Sequence, residues 1–175
     1  MKRTILALLL CIGLLHLHAA ESPLSISIAV PIHGDKRTIY FDKTTEPHFP
    51  VIVTNTSTEP VRFWQEWCSW GFNALSFELT DEHGKKLIAR KVDRQIWRRN
   101  FPDCWTLQPK ESLVIDVFFA NTEIWQGFPL DREGHPHYYT MRVICDVQPD
   151  EYSKKLDLWT GRIVSPTQKY AFQVH

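Results

Sequence analysis

The sequence predicts an all-β fold, two antiparallel sheets packed as a sandwich in one domain behind an N-terminal export signal. Three observations predict it. Short segments with the two-residue period of strands recur along the chain, clusters of Pro, Gly, Asn and Asp separate them, and no stretch after residue 20 keeps a helical period for three turns. Several of these strands have one apolar and one polar face. Such strands bury the apolar face against a second sheet, which favours a sandwich over a barrel.

The export signal occupies residues 1–20. Lys2 and Arg3 precede an uncharged run from Ile5 to Leu15, too short to span a bilayer and interrupted by His16 and His18. Ala19 and Ala20 are the small residues that a signal peptidase needs, which places cleavage before Glu21. Cys11 follows Leu10 rather than a small residue and is read as part of the apolar run, not as a lipoprotein cysteine. The remaining 155 residues, 21–175, are enough for one domain and contain no segment apolar enough to be a membrane anchor. They carry 18 basic and 20 acidic residues. So balanced a charge excludes a global affinity for nucleic acid or membrane. The expected location is the periplasm or the extracellular medium.

The strands follow in order. In LSISIAV, Leu24, Ile26, Ile28 and Val30 share a face, and in RTIYF Ile39 and Phe41 alternate with Thr38 and Tyr40. FPVIVTN (Phe49 to Asn55) is a short apolar run closed by NTSTEP. VRFWQEW sets Val61, Phe63 and Trp67 against Arg62, Trp64 and Glu66. LSFELT and KLIARKV flank DEHGK, a hairpin turn with Asp81 and Gly84. LQPKES introduces LVIDVFF. YYTMRVICDV is the clearest strand, with Tyr139, Met141, Val143, Cys145 and Val147 on one face. GRIV, a break at Ser165-Pro166, and KYAFQV close the chain. A small helix is expected at most in DRQIWRRNF or NTEIWQGF.

Three of these turns carry a resemblance. Asn55, Ser57, Pro60 and Val61 match a strand–turn–strand of the form x-N-x-S-x-x-P-V. Asp81, Gly84 and Lys85 match a D-x-x-G-K hairpin. Leu107, Pro109 and Glu111 match an L-x-P-G-E turn, with Lys110 in the place of glycine. Over about 70 residues the chain thus resembles the immunoglobulin-like sandwich of the BsuPI family, named for a bacterial intracellular proteinase inhibitor. The resemblance implies an immunoglobulin-like fold and proteinase inhibition. The export signal and the longer C-terminal half depart from that family's pattern.

For function, the sequence has no G-x-S-x-G, H-E-x-x-H, Walker or C-x-x-C motif, so neither an enzyme nor a cofactor is expected. Asp131, Glu133, His135 and His137 alternate in DREGHPH, which in an extended segment would put metal-binding types on one side. Gly134 and Pro136 make it a solvated loop instead, and metal-dependent hydrolysis there is the enzyme alternative. The seven tryptophans (64, 67, 70, 97, 105, 125 and 159) are expected in the core rather than on a sugar platform. From Lys85 to Asn100 seven basic residues face one acid. Arg94, Arg98 and Arg99 are therefore candidates for binding an acidic partner, and a solvated edge strand is the other use of such a segment. Ala120 to His137 is an unusually long connection, in which Trp125 and Phe128 either pin the loop or meet a partner. Of the three cysteines past residue 20, Cys68 and Cys104 are expected to form a disulfide and Cys145 to stay a buried thiol. Asn55-Thr56-Ser57 is a glycosylation sequon. The function expected is non-catalytic binding of a protein or polysaccharide, with no nucleic acid partner.

Overall fold

The computed structural model describes residues 22–34, 36–41, 48–92, 97, 100–130 and 135–174. The export signal, Arg94, Arg98, Arg99, Asp131 and Glu133 lie outside the described residues.

The described chain is a sandwich built mostly of strands, with two short helices. One sheet has three strands, β1 (Leu24–Ile28), β4 (Phe49–Asn55) and β9 (Ser112–Val117), with β4 in the middle. The larger sheet runs β10 (Trp125–Gln126), β7 (Lys86–Lys91), β6 (Leu75–Asp81), β11 (His137–Val147), β13 (Gln168–Val174), β3 (Lys36–Phe41) and β2 (Ile32–His33). Its strand β12 (Gly161–Val164) also lies on β11. A separate ribbon pairs β5 (Val61–Trp64) with β8 (Cys104–Leu107). Two short helices complete the chain, α1 (Ser69–Phe72) and α2 (Glu151–Lys155). Every pairing is antiparallel except β13 with β3, which run parallel, a departure from the purely antiparallel expectation.

The predicted alternation builds the core. Residues 49, 51, 53 and 55 of β4 are buried and the residues between them half-buried, so its even-numbered side chains form the outer face. Val51, Val53, Ile115 and Val117 join Phe77, Leu79, Met141, Val143 and Cys145 in one buried cluster, as two facing sheets require. At one end Phe49, Phe77, Phe119, Trp125 and Phe128 pack ring against ring at 5.2–6.0 Å. Trp125 and Phe128 are thus pinning residues. They fasten the long connection to the sandwich, and Phe128 is no part of an exposed binding surface. NTEIWQGF forms turns and β10 rather than a helix.

The three turns that carry the family resemblance have clear physical roles. Asn55 is fully buried. Its Nδ2 donates to Glu59 O (2.8 Å) and Leu107 O (2.9 Å), and its Oδ1 accepts from Ser57 N (2.9 Å) and Ser57 Oγ (2.7 Å). One side chain therefore shapes the β4–β5 turn and ties it to the end of β8. With both amide hydrogens engaged, the sequon is closed in the folded protein. In the hairpin, Asp81 Oδ1 accepts from His83 N and Lys85 N while Gly84 takes φ +81°. Lys110 stands at φ +71°, a left-handed conformation that a side chain disfavours and glycine does not.

The disulfide expectation is corrected: Cys68, Cys104 and Cys145 are all free. Cys68 lies in the core, its Sγ donating to Gln65 O at 3.1 Å, while Cys104 Sγ accepts from the Arg62 guanidinium at 3.0 Å. Each sulfur is thus held by a partner other than the second sulfur. Cys145 is the buried thiol expected, pushed up to about 12 from its ordinary 9.0 by burial, with the Asp146 carboxylate adding to the rise.

Candidate functional site

Beyond β5 the chain reverses, and this reversal makes the site. The strand ends at Trp64, one turn earlier than the pattern VRFWQEW predicts. Cys68 N and Sγ then reach back to Gln65 O, and Gly71 N and Phe72 N to Cys68 O. The hook closes so tightly that a Cβ on Gly71 would stand 2.0 Å from Gln65 O, which leaves glycine as the residue that fits. Ser69 and Asn100 lock it from outside, Ser69 N donating to Asn100 Oδ1 at 3.0 Å and Asn100 Nδ2 to Ser69 Oγ at 2.6 Å.

Leaving the strand at Trp64 overturns the expected parity. Trp64 is buried and stacks on Trp70 at 5.5 Å, whereas Trp67, expected inside with Val61 and Phe63, is 61 % exposed. Trp67 stands edge-on to Trp105 at 6.0 Å, and its indole N–H donates to Gln65 Oε1. Trp64 and Trp125 lie in the core as predicted, and Trp70 and Trp159 pack half-buried against it. Trp67 and Trp105 do not.

Trp67 is one wall of a cleft of about 430 Å³. Phe72, Trp97, Ile124 and Trp125 line it too, as do Val114, Asp116 and Phe118 of the β9 segment. The β9 residues are successive outward positions of one strand, exposed while Ile115 and Val117 between them are buried.

The charge within the cleft is Lys91, whose side chain is only 7 % exposed. Its Nζ lies 3.1 Å from Glu66 Oε2, 4.7 Å from the centre of the Phe72 ring and 5.6 Å from that of Trp125. Burial lowers the lysine below its ordinary 10.5, opposed by the Glu66 carboxylate. The ammonium is therefore committed to protein partners. Asp116 has no hydrogen bond or ion pair among the described residues.

The histidine loop is only partly in view. Among the described residues no group of three His, Cys, Asp or Glu is placed to hold a metal ion. His137 Nε2 is enclosed without a hydrogen-bond partner among those residues. Among them, too, no helix is long and apolar enough to cross a membrane. The chain matches no protein-family model and no curated protein.

Proposed function

We propose that the protein is an exported, non-catalytic binding module whose ligand site is the aromatic cleft beside β9. The observation that carries this reading is the solvent-exposed indole of Trp67 lining a cleft together with Trp97, Phe72 and Phe118. An aromatic ring left open to water beside a cleft is a usual anchor of recognition. It offers a large apolar area and loses little side-chain entropy on binding. The Lys91–Glu66 pair, which also lines the cleft, supports the reading. Its ammonium is engaged by a carboxylate and two rings, an arrangement suited to structure rather than to proton transfer.

Export belongs to the same proposal and rests on the basic, apolar and small residues of 1–20; protein recovered outside the cytoplasm should begin at or near Glu21. The partner is a protein or a polysaccharide. Proteinase inhibition rests on the turn motifs alone, which serve the β4–β5, β6–β7 and β8–β9 connections, and none of their matched residues lines the cleft. The test is a binding screen against arrayed peptides and glycans, with intrinsic tryptophan fluorescence as readout. The expected result is a ligand whose affinity falls at least tenfold in Trp67→Ala. Ligands that bind Trp67→Ala as well as the unaltered protein would refute the cleft.

A further inference from the structure

We propose that the partner is an extended polypeptide segment that adds to the free edge of β9 as a further strand and carries a basic residue to Asp116. The inference rests on the cleft being the binding site and names its ligand class.

The backbone of β9 makes the first argument. Asn55 N donates to Glu111 O and Lys110 N to Asn55 O, so the odd-numbered residues of β4 turn their peptide groups toward β9. The even-numbered ones turn toward β1, as Pro50 O does in accepting from Ala29 N. In the antiparallel register Val53 pairs with Leu113, Val51 with Ile115 and Phe49 with Val117. Those β9 residues therefore spend their N–H and C=O groups on β4. Ser112, Val114 and Asp116 direct theirs the other way, and among the described residues no strand pairs with that side. An open row of donors and acceptors is a template for one more strand.

The sequence of β9 makes the second. Sheet edges are ordinarily guarded by lysine, proline or a covering segment. At the β7 end of the larger sheet, β10 pairs with Lys91 and Arg90, and Val92 N donates to Ile124 O. By contrast SLVIDV has neither lysine nor proline, and Val114 is 56 % exposed.

The third argument places the edge and the cleft together. Val114 and Asp116, whose peptide groups have no partner among the described residues, are also the side chains that face the cleft with Phe118. A strand laid on this edge would bring alternate side chains against the cleft's aromatic and apolar lining. It would also bring them past a carboxylate with no partner among the described residues. A second copy of β9 meets the backbone requirement but not the charge, since Ser112–Val117 holds no cation. A foreign segment with Lys or Arg among alternating apolar residues meets both.

The experiment pans a phage-displayed library of random dodecapeptides on the purified protein and measures selected peptides by fluorescence anisotropy. Selected peptides should alternate apolar residues and include Lys or Arg. Their N-methyl scan should lose binding at every second amide, the signature of a strand bonded on one side. Affinity should fall at least tenfold in Val114→Pro, which removes an N–H that the β4 ladder does not use, and in Asp116→Lys, with circular dichroism unchanged in both. Binding lost in Trp67→Ala but retained in Val114→Pro would overturn strand addition and leave the cleft reading standing. Binding unaffected by any of the three would overturn both. A concentration-dependent dimer that Val114→Pro dissolves would assign the edge to a second copy and overturn the peptide, as would a library that yields no enriched sequence.

Discussion

Replacing Asn55 tests the side chain that joins two of the three sequence turns. Asn55→Ala removes four hydrogen bonds at 2.7–2.9 Å and leaves Leu107 O, which accepts from Nδ2 in a buried setting, without that donor. A hydrogen bond contributes about 1 kcal/mol net, and a buried group left unpaired costs about 1–3 kcal/mol. Ser57 and Glu59 are exposed enough to turn to water, so the loss should be about 3–4 kcal/mol. For a domain of this length that lowers Tm by roughly 6–16 °C. The assay is urea unfolding followed by tryptophan fluorescence, with the m-value checked so that a shifted midpoint reads as stability. Asn55→Asp separates hydrogen bonding from shape. It keeps the side-chain outline but points a carboxylate at the two carbonyl oxygens that Nδ2 served. That carboxyl should titrate above the ordinary aspartate range in the folded protein. The folded state then holds more protons than the unfolded one, so the variant should lose stability as pH rises through and above about 3.9. It should be closer to the parent at pH 4 than at pH 7. A loss below 1 kcal/mol in Asn55→Ala, or no pH dependence in Asn55→Asp, would refute the staple.

Three other predictions concern Lys110 and the cysteines. Lys110→Gly should stabilise the protein by about 0.5–1 kcal/mol, because it relieves a left-handed residue at φ +71° whose side chain is exposed, and thermal unfolding measures it. Cysteine reactivity toward a chromogenic disulfide should count one accessible thiol in the native state, the half-buried Cys104, and the thiols of Cys68 and Cys145 only after unfolding. With the Cys145 thiol at about 12 when folded and 9.0 when not, the unfolded state loses its proton first. Stability should fall as pH rises above 9, with a slope from this thiol approaching about 1.4 kcal/mol per pH unit; the depressed Lys91 opposes the fall below 10.5, and Tyr170, raised from 10.0 by burial, adds to it above that pH. In Cys145→Ala that fall should flatten.

Much of the sandwich was legible because a strand with one buried face writes its period into the sequence. β4 and β6 alternate between buried and half-buried residues, β11 does so from Met141 onward except at the buried Ile144, and the hairpin between β6 and β7 announces itself through Asp81 and Gly84. β8 was not legible: of Cys104, Trp105, Thr106 and Leu107 only the last is buried, so no period forms. α2 is held by a capping box, Asp150 accepting from Ser153 N while Ser153 Oγ accepts from Asp150 N, a signal in DEYS that spans too few residues to show a helical period. The parallel β3–β13 pairing depends on which strands meet, and alternation says nothing of that. The disulfide expectation failed for a related reason. Spacing shows where two cysteines stand along the chain but not which way their sulfurs turn, and here one meets Gln65 O and the other a guanidinium.

The candidate site shows the same division between what a pattern encodes and what topology decides. The aromatic content near Trp67 was plain, but its exposure follows from the strand ending at Trp64. A hook closed by Gly71 determines that end, three residues before the expected one. Lys91 stood among basic residues read as solvated. Its burial comes from pairing with Glu66, 25 residues away, and from rings on either side that only the folded chain assembles. One signal could have been found. Ser112–Val117 is a strand sequence of strong β-formers without an edge guard, and such a segment belongs either at the centre of a sheet or at an edge reserved for a partner. β4 already has β1 on its other side, so among the described residues β9 ends the sheet, and the second alternative is the one that its peptide groups unpartnered among them, its exposed Val114 and its Asp116 support together.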